Sequence, residues 1–249
     1  MSSIIQMIDV EKHYGDVIAL KKISLNIEKG EFLTVLGSSG CGKTTLLKMI
    51  NGLVIPDSGQ VIVDNQDVSK ADLIALRRSI GYCIQGNVLF PHLSVEDNIA
   101  YVPNLLNGKN VDKTRKAVSK WLKLVGLDES IRPRFPSELS GGQQQRVGLA
   151  RSLASSPDIL LMDEPFGAVD SITRSQLQKE IKAIHSQTGV TIVFVTHDIR
   201  EALFLGSKVL VLDSGCIQQF DTPINIVNHP ANAFVSELLD NSLQLSKLF

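Results

Sequence analysis

The chain has 249 residues, of which 43% are hydrophobic and 20% charged, the balance of an ordinary globular protein with a sizeable core. A formal net charge of -1 argues against a nucleic-acid binder, because phosphate backbones are gripped by clustered Lys and Arg. Three cysteines, Cys41, Cys83 and Cys216, form no C-x-x-C pair and suit a reducing compartment better than a disulfide framework.

The start, "MSSIIQMIDVEKHYG", has no basic head before a long apolar run and does not read as a signal peptide. Nowhere does the chain reach the roughly 18 consecutive apolar residues that cross a bilayer, so any membrane crossing is expected of another chain. The first hundred residues read as short strands. "KISLNIEKG" alternates Ile23, Leu25 and Ile27 with polar neighbours, and "EFLTVLG" is an apolar run of the kind buried on both faces. "KTTLLKMING" reads as a helix closed by Gly52, and "SGQVIVDNQDV" as a strand and turn. From residue 94 to 156 the texture turns helical, with Val118, Leu122 and Val125 on one face of "DKTRKAVSKWLKLVGL". The sheet resumes with "DILLMDE" and "VTIVFVTHD", separated by a helix that turns Leu177, Ile181 and Ile184 inward; strand, helix, strand implies a parallel sheet. "KVLVLDSGCIQQF" reads as a hairpin turned at Asp213-Ser214-Gly215. The organisation expected is one α/β domain. Residues 1–93 and 157–249 form a core of mixed sheet with an antiparallel β-subdomain, and 94–156 form an inserted helical subdomain.

"GSSGCGKT" fits G-x-x-x-x-G-K-[ST] at Gly37, Gly42, Lys43 and Thr44, after a strand and before a helix, as the motif requires. Glycines let backbone N–H groups converge on phosphate, and the helix N-terminus adds a favourable dipole. Lys43 is placed to reach the β- and γ-phosphates, and the Thr44 hydroxyl to ligate Mg²⁺. Cys41 stands at a free position of the loop and reads as a tolerated small residue rather than a redox centre. "ILLMDE" delivers Asp163 and Glu164, adjacent carboxylates that point opposite ways and can divide the work. Asp163 would hold Mg²⁺ through water, and Glu164 would act as general base on an attacking water. His197 ends the next strand, at the edge where ligands of such sheets sit. Gln85 leaves another apolar run, within reach of Mg²⁺ or the attacking water.

"LSGGQQQR", Leu139 to Arg146, places a serine and two glycines at a helix start, a second phosphate-ready site a hundred residues beyond the first. With this motif the chain resembles the ATP-binding subunits of ABC transporters over nearly its whole length. "LSGGQ" is that family's signature, and it lies between the loop and "DE" at the family's spacing. The resemblance implies the ABC ATPase fold and binding of ATP and Mg²⁺. It implies nucleotide contacts from Tyr14, which stacks on adenine, from Gly37, Ser38, Ser39, Gly40, Cys41, Gly42, Lys43, Thr44 and Thr45, and from Gln85 and Asp163. Metal ligation falls to Thr44, Gln85 and Asp163, and catalysis to Glu164, His197, Gln85 and Lys43. Asp170 in "GAVD" takes the D-loop position, beside Val169 where the family usually has leucine.

Family members bind head to tail, which implies that Ser140, Gly141, Gly142 and Gln143 hold the phosphate of a second copy's ATP. The implied partners are that second copy, transmembrane permease subunits and, indirectly, a substrate-binding protein, at the cytoplasmic face of the cell membrane. "LFPHLSVEDNIAYVPNLL", "DEPFGAVDSITR" and "HPANAFV" resemble importers of osmoprotectants and quaternary amines such as glycine betaine, choline or carnitine. A chain of 249 residues is expected to leave no room for the regulatory domain pair some of these carry. Importers of amino-acid, sulfonate or nitrate type are the alternative. Soluble ABC proteins acting on ribosomes or DNA usually carry two cassettes or a long coiled-coil insertion, and a phosphate-loop kinase has no role for "LSGGQ". The stretch "GNVLFPHLSVEDNIAY" is expected to expose Leu89 and Phe90 to a helix of the permease.

Overall fold

The computed structural model describes residues 3–86, 89–108, 110–167 and 169–244. In chain order the elements are β1 (Ser3–Tyr14), β2 (Val17–Glu28), β3 (Phe32–Leu36), α1 (Lys43–Ile50), β4 (Ser58–Val63), β5 (Gln66–Asp67), α2 (Leu73–Ser79) and β6 (Ile80–Cys83). There follow α3 (Val95–Leu106), α4 (Val111–Leu124), α5 (Gly141–Leu153), β7 (Ile159–Asp163), α6 (Ser171–Thr188), β8 (Thr191–Thr196) and α7 (Ile199–Leu205). β9 (Lys208–Asp213), β10 (Cys216–Asp221), α8 (Pro223–Asn228) and α9 (Ala233–Gln244) complete the chain. No helix among the described residues is long and apolar enough to cross a membrane.

The chain forms two compact units, one from residues 1–76 with 191–249 and one from 77–190. In the first, an antiparallel sheet runs β2-β1-β4-β5, and Ile23, Leu25 and Ile27 are buried while their neighbours face out. A second sheet runs β10-β9-β3-β8, with β3 parallel to both neighbours and β10 antiparallel to β9. Every residue of β3 and β8 is buried, as in parallel strands covered on both faces, the threonines Thr34, Thr191 and Thr196 included. Helices α7, α8 and α9 cover this sheet through Ile199, Ala202, Ile226, Val235 and Leu239, packed with Leu36, Val209 and Val211. Asp213 pairs with Cys216, so the β9–β10 turn is Ser214-Gly215, with φ of 47° and 76°. Two successive positive φ values match the right-handed twist of the flanking strands.

In the second unit β6 and β7 pair in parallel, and α3, α4 and α5 pack on one another around Val118, Trp121, Leu122 and Val125. Each helix starts on a side chain that satisfies first-turn N–H groups: Ser94 for α3, Asn110 for α4, Ser140 for α5 and Asp170 for α6. The expectation of strands through the first hundred residues fails at α2. Asp72 accepts hydrogen bonds from the Ile74 and Ala75 amides at 2.9 and 3.2 Å, a helix-starting signal that the short apolar run obscures.

Candidate functional site

In the first unit, parallel pairing sets Leu36 beside Thr196, so Gly37 and His197 leave one sheet edge side by side. The loop at 37–42 fits only glycine at two places. A side chain on Gly37 would meet the Leu212 carbonyl at 2.2 Å, and one on Gly42, φ 107°, the Ala19 carbonyl at 2.4 Å. Gly42 is also the N-cap of α1 and has no side chain to offer its amides, which leaves that end suited to an anion. Lys43 is 5% exposed and curls back over the loop, its Nζ donating to the Gly37 and Ser38 carbonyls at 2.8 Å each.

The β9–β10 turn braces the same loop. The Gly215 amide donates to the Cys41 carbonyl at 3.2 Å and the Ser38 hydroxyl to Asp213 at 3.4 Å. Cys41 is buried, and burial pushes its thiol up despite nearby Lys43, which leaves little thiolate for redox chemistry. Ser38, Ser39, Gly40 and His197 are exposed, and Thr44 and Thr45 half-buried. Tyr14 is half-exposed where β1 turns into β2, with Lys12 Nζ 5.7 Å from its ring centre.

In the second unit Cys83 pairs with Met162, so Gln85 and the Asp163-Glu164 pair emerge at one strand edge. Asp163 is 5% exposed, Glu164 half-buried and Gln85 exposed. Burial, and then the Asp163 charge, pushes the Tyr82 hydroxyl up to about 12, which keeps it a neutral neighbour of that carboxylate. Glu164 adopts φ 43°, a left-handed setting rare outside glycine and frequent at functional sites.

The signature forms the start of α5. The Gln143 amide donates to the Ser140 hydroxyl at 3.3 Å, and Gln143 Oε1 accepts from the Ser140 amide at 3.0 Å. This reciprocal cap fixes the helix end, with Ser140 and Gly141 exposed. Asp170 caps α6, and the Thr173 amide and hydroxyl beside it hold its carboxyl below the usual range.

Leu89 is buried at 6% exposure and is therefore not the exposed docking residue expected; Asn87 and Val88 of that stretch lie outside the described residues. Phe90 is half-buried, its ring 5.0 Å from that of Tyr101 and from the Arg151 guanidinium. The loop is held by Asn98, fully buried, which accepts from the Phe90 amide at 2.9 Å and donates to the Phe90, Leu93 and Ser94 carbonyls at 3.0–3.1 Å. Nothing in "VEDNIA" separates Asn98 from its polar neighbours except its place on the buried face of a helix.

A phosphate loop on a parallel strand, a strand-end histidine and a buried aspartate followed by a strained glutamate define a phosphate-loop nucleotide-binding protein. Residues 20–167 match the ABC transporter family, and the chain belongs to it. It is 47% identical over 231 residues to the carnitine transport ATP-binding protein of Listeria monocytogenes, covering 92% of this chain and 58% of that one. To the sulfate/thiosulfate import ATP-binding protein of Caulobacter vibrioides it is 48% identical, over 91% of this chain and 67% of the other. The chain thus spans little more than half the length of the carnitine-transport relative. The fold matches a dimeric ATP-binding cassette in a post-hydrolysis state with ADP and Pi, at a TM-score of 0.77 and 35% identity over 88% of this chain and 98% of that one.

Proposed function

We propose that this chain is the ATP-hydrolysing subunit of an ABC importer, closing head to tail with a second copy on two ATP molecules to drive solute uptake. The observation that carries the reading is the β7 edge, where buried Asp163 is followed by Glu164 in a left-handed backbone. A hydrolase uses a carboxylate placed there to take the proton of an attacking water, and the left-handed backbone helps to fix its direction.

In this reading Lys43 and the first-turn amides of α1 hold the β- and γ-phosphates, and Tyr14 stacks on adenine. The Thr44 hydroxyl, Gln85 amide oxygen and Asp163 carboxylate would hold Mg²⁺, a donor set of hard oxygens that suits the ion and would supply charge neutralisation for phosphoryl transfer. Gln85 also orients the water, and His197 donates to the γ-phosphate. Ser140, Gly141, Gly142 and Gln143 face the nucleotide of the other copy, a role their exposed helix end supports. Residues 94–156 act as the inserted helical subdomain. Permease subunits hold the chain at the cytoplasmic face of the membrane, with a substrate-binding protein upstream.

We assign the solute to quaternary amines such as carnitine or glycine betaine, on the sequence segments around Phe90 and Asp170 and the likeness to the carnitine-transport subunit. The test is reconstitution with the permease and substrate-binding proteins encoded beside it, in vesicles loaded with ATP. Uptake of labelled carnitine or betaine that stops in Glu164→Gln is expected. A complex that consumes no ATP would overturn the reading; uptake of sulfate would move the solute alone.

A further inference from the structure

The turn that carries His197 is held by a buried side-chain clamp. Thr196, the last residue of β8, is 2% exposed, and its Oγ1 donates to Glu201 Oε2 at 2.6 Å. The same oxygen accepts from the Asp198 amide at 3.0 Å, one residue beyond His197. Asp198 in turn caps α7, accepting from the Arg200 and Glu201 amides at 2.8 and 3.4 Å. Glu201 itself is 6% exposed, an expensive place for a carboxylate in a seven-residue helix. That helix is tied to the strand feeding the phosphate loop, because the Thr34 hydroxyl on β3 donates to the Ala202 and Lys208 carbonyls at 3.1 and 3.2 Å.

We propose that Glu201 is a positioning residue for His197. Acting through the Thr196 hydroxyl, its carboxylate fixes the backbone of 196–198 and so the direction of the imidazole. A short helix cannot hold such a turn by its own hydrogen bonds, since helices of this length are marginal without tertiary anchors. The chain of contacts runs β3, Thr34, α7, Glu201, Thr196, His197, so the histidine is indexed to the same strand that delivers Gly37. The proposal rests on the phosphate-contacting role given to His197 above.

The test measures ATP turnover in Glu201→Ala, Glu201→Gln and Thr196→Val, each alone and combined with His197→Ala. Glu201→Ala is expected to lower kcat about tenfold or more while KM for ATP stays within about twofold. Glu201→Gln, which keeps an acceptor oxygen for Thr196, should restore most of the rate. In the His197→Ala background, Glu201→Ala should change the residual rate by less than about twofold, because the two act as one unit. Equal losses in both backgrounds, or an unchanged kcat in Glu201→Ala, would overturn the proposal. Should Glu201→Ala fail to fold, the near-isosteric Thr196→Val is expected to show the same kcat loss, and a normal kcat there overturns it. If His197→Ala itself turns over normally, the role of His197 fails separately. The clamp is then judged by the His197 imidazole NMR signal, which must move in Thr196→Val and overturns the proposal if it does not.

Discussion

Glu164 holds φ at 43°, a setting that costs a non-glycine residue about 1–3 kcal/mol. The chain sustains it between a strand buried from Ile159 to Asp163 and the Gly167 amide, which donates to the Glu164 carbonyl at 3.2 Å. Glu164→Gln keeps the shape and removes the proton acceptor. Turnover is expected to fall about 10²–10⁴-fold with ATP affinity retained, and the protein to run as an ATP-bound dimer on a sizing column. Normal turnover would end the general-base role. Thr114 on α4 offers a different test, since it is 5% exposed and its hydroxyl finds no hydrogen-bond partner among the described residues. Thr114→Val is expected to add about 1 kcal/mol of stability, a rise of about 2–4 °C in a thermal melt. A lower melting temperature would mean that a water satisfies the hydroxyl. Gly42 and Lys43 were legible in the sequence because their demands are local: a tight turn, a missing side chain, a charge. Glu201 was not, because its partner Thr196 lies across a turn whose closure no periodicity announces.

Short elements were harder to read than long ones. The helix of α6 showed its buried face in Leu177, Ile181 and Ile184, and all three are buried. The stretch after Gln85 offered only a mixture of apolar residues and turn formers, which misled at Leu89. The loop just after Leu89 is held by Asn98, a single side chain bonded to three carbonyls and an amide, and such a contact leaves no trace in composition. Asn98→Asp keeps the acceptor but turns a donor toward three carbonyls into a carboxylate. It is therefore expected to destabilise the protein more than Asn98→Ala, which itself should cost about 1–3 kcal/mol. Urea unfolding orders the two, and the reverse order would deny the donor role.

The β4–β5 hairpin carries a pH-dependent counterpart. Hydrogen bonds from Gln60 and then Ser69 hold the Asp67 carboxyl down to about 2. A depressed carboxylate contributes stability that is complete above its unfolded value near 4 and is lost as pH falls toward 2. Melts across that window should fall less steeply for Asp67→Asn than for the parent chain; parallel curves would assign the acid sensitivity elsewhere.

At the scale of the whole molecule, the fold class was legible because alternating strands and helices, a phosphate loop and a signature each constrain topology. The first unit is assembled from residues on both sides of the second. The pairing of two copies is tested by mixing variants. Lys43→Ala breaks the phosphate loop and Ser140→Arg blocks the signature, so neither alone builds a complete site. In a mixed dimer one interface pairs both broken parts, and the other pairs the intact loop of one chain with the intact signature of the other. About one trapped nucleotide per mixed dimer is expected, as for an anion site at a helix terminus shared between chains. Dimers that trap none would mean that the signature does not serve the second copy's ATP.

The placement of β3 between β8 and β9 also governs how the protein is born. Both neighbours are translated about 150 residues after β3, which at ribosomal speeds is a delay of roughly 8–30 s. The second unit, being continuous, has all its residues outside the ribosome before β3 meets either flanking strand. For that interval the strand from Phe32 to Leu36, with four apolar residues out of five, waits without a sheet, and the phosphate loop it carries has no frame. A nascent chain halted near residue 190 should therefore recruit holdase chaperones and bind no ATP, and release of the last sixty residues should reverse both at once.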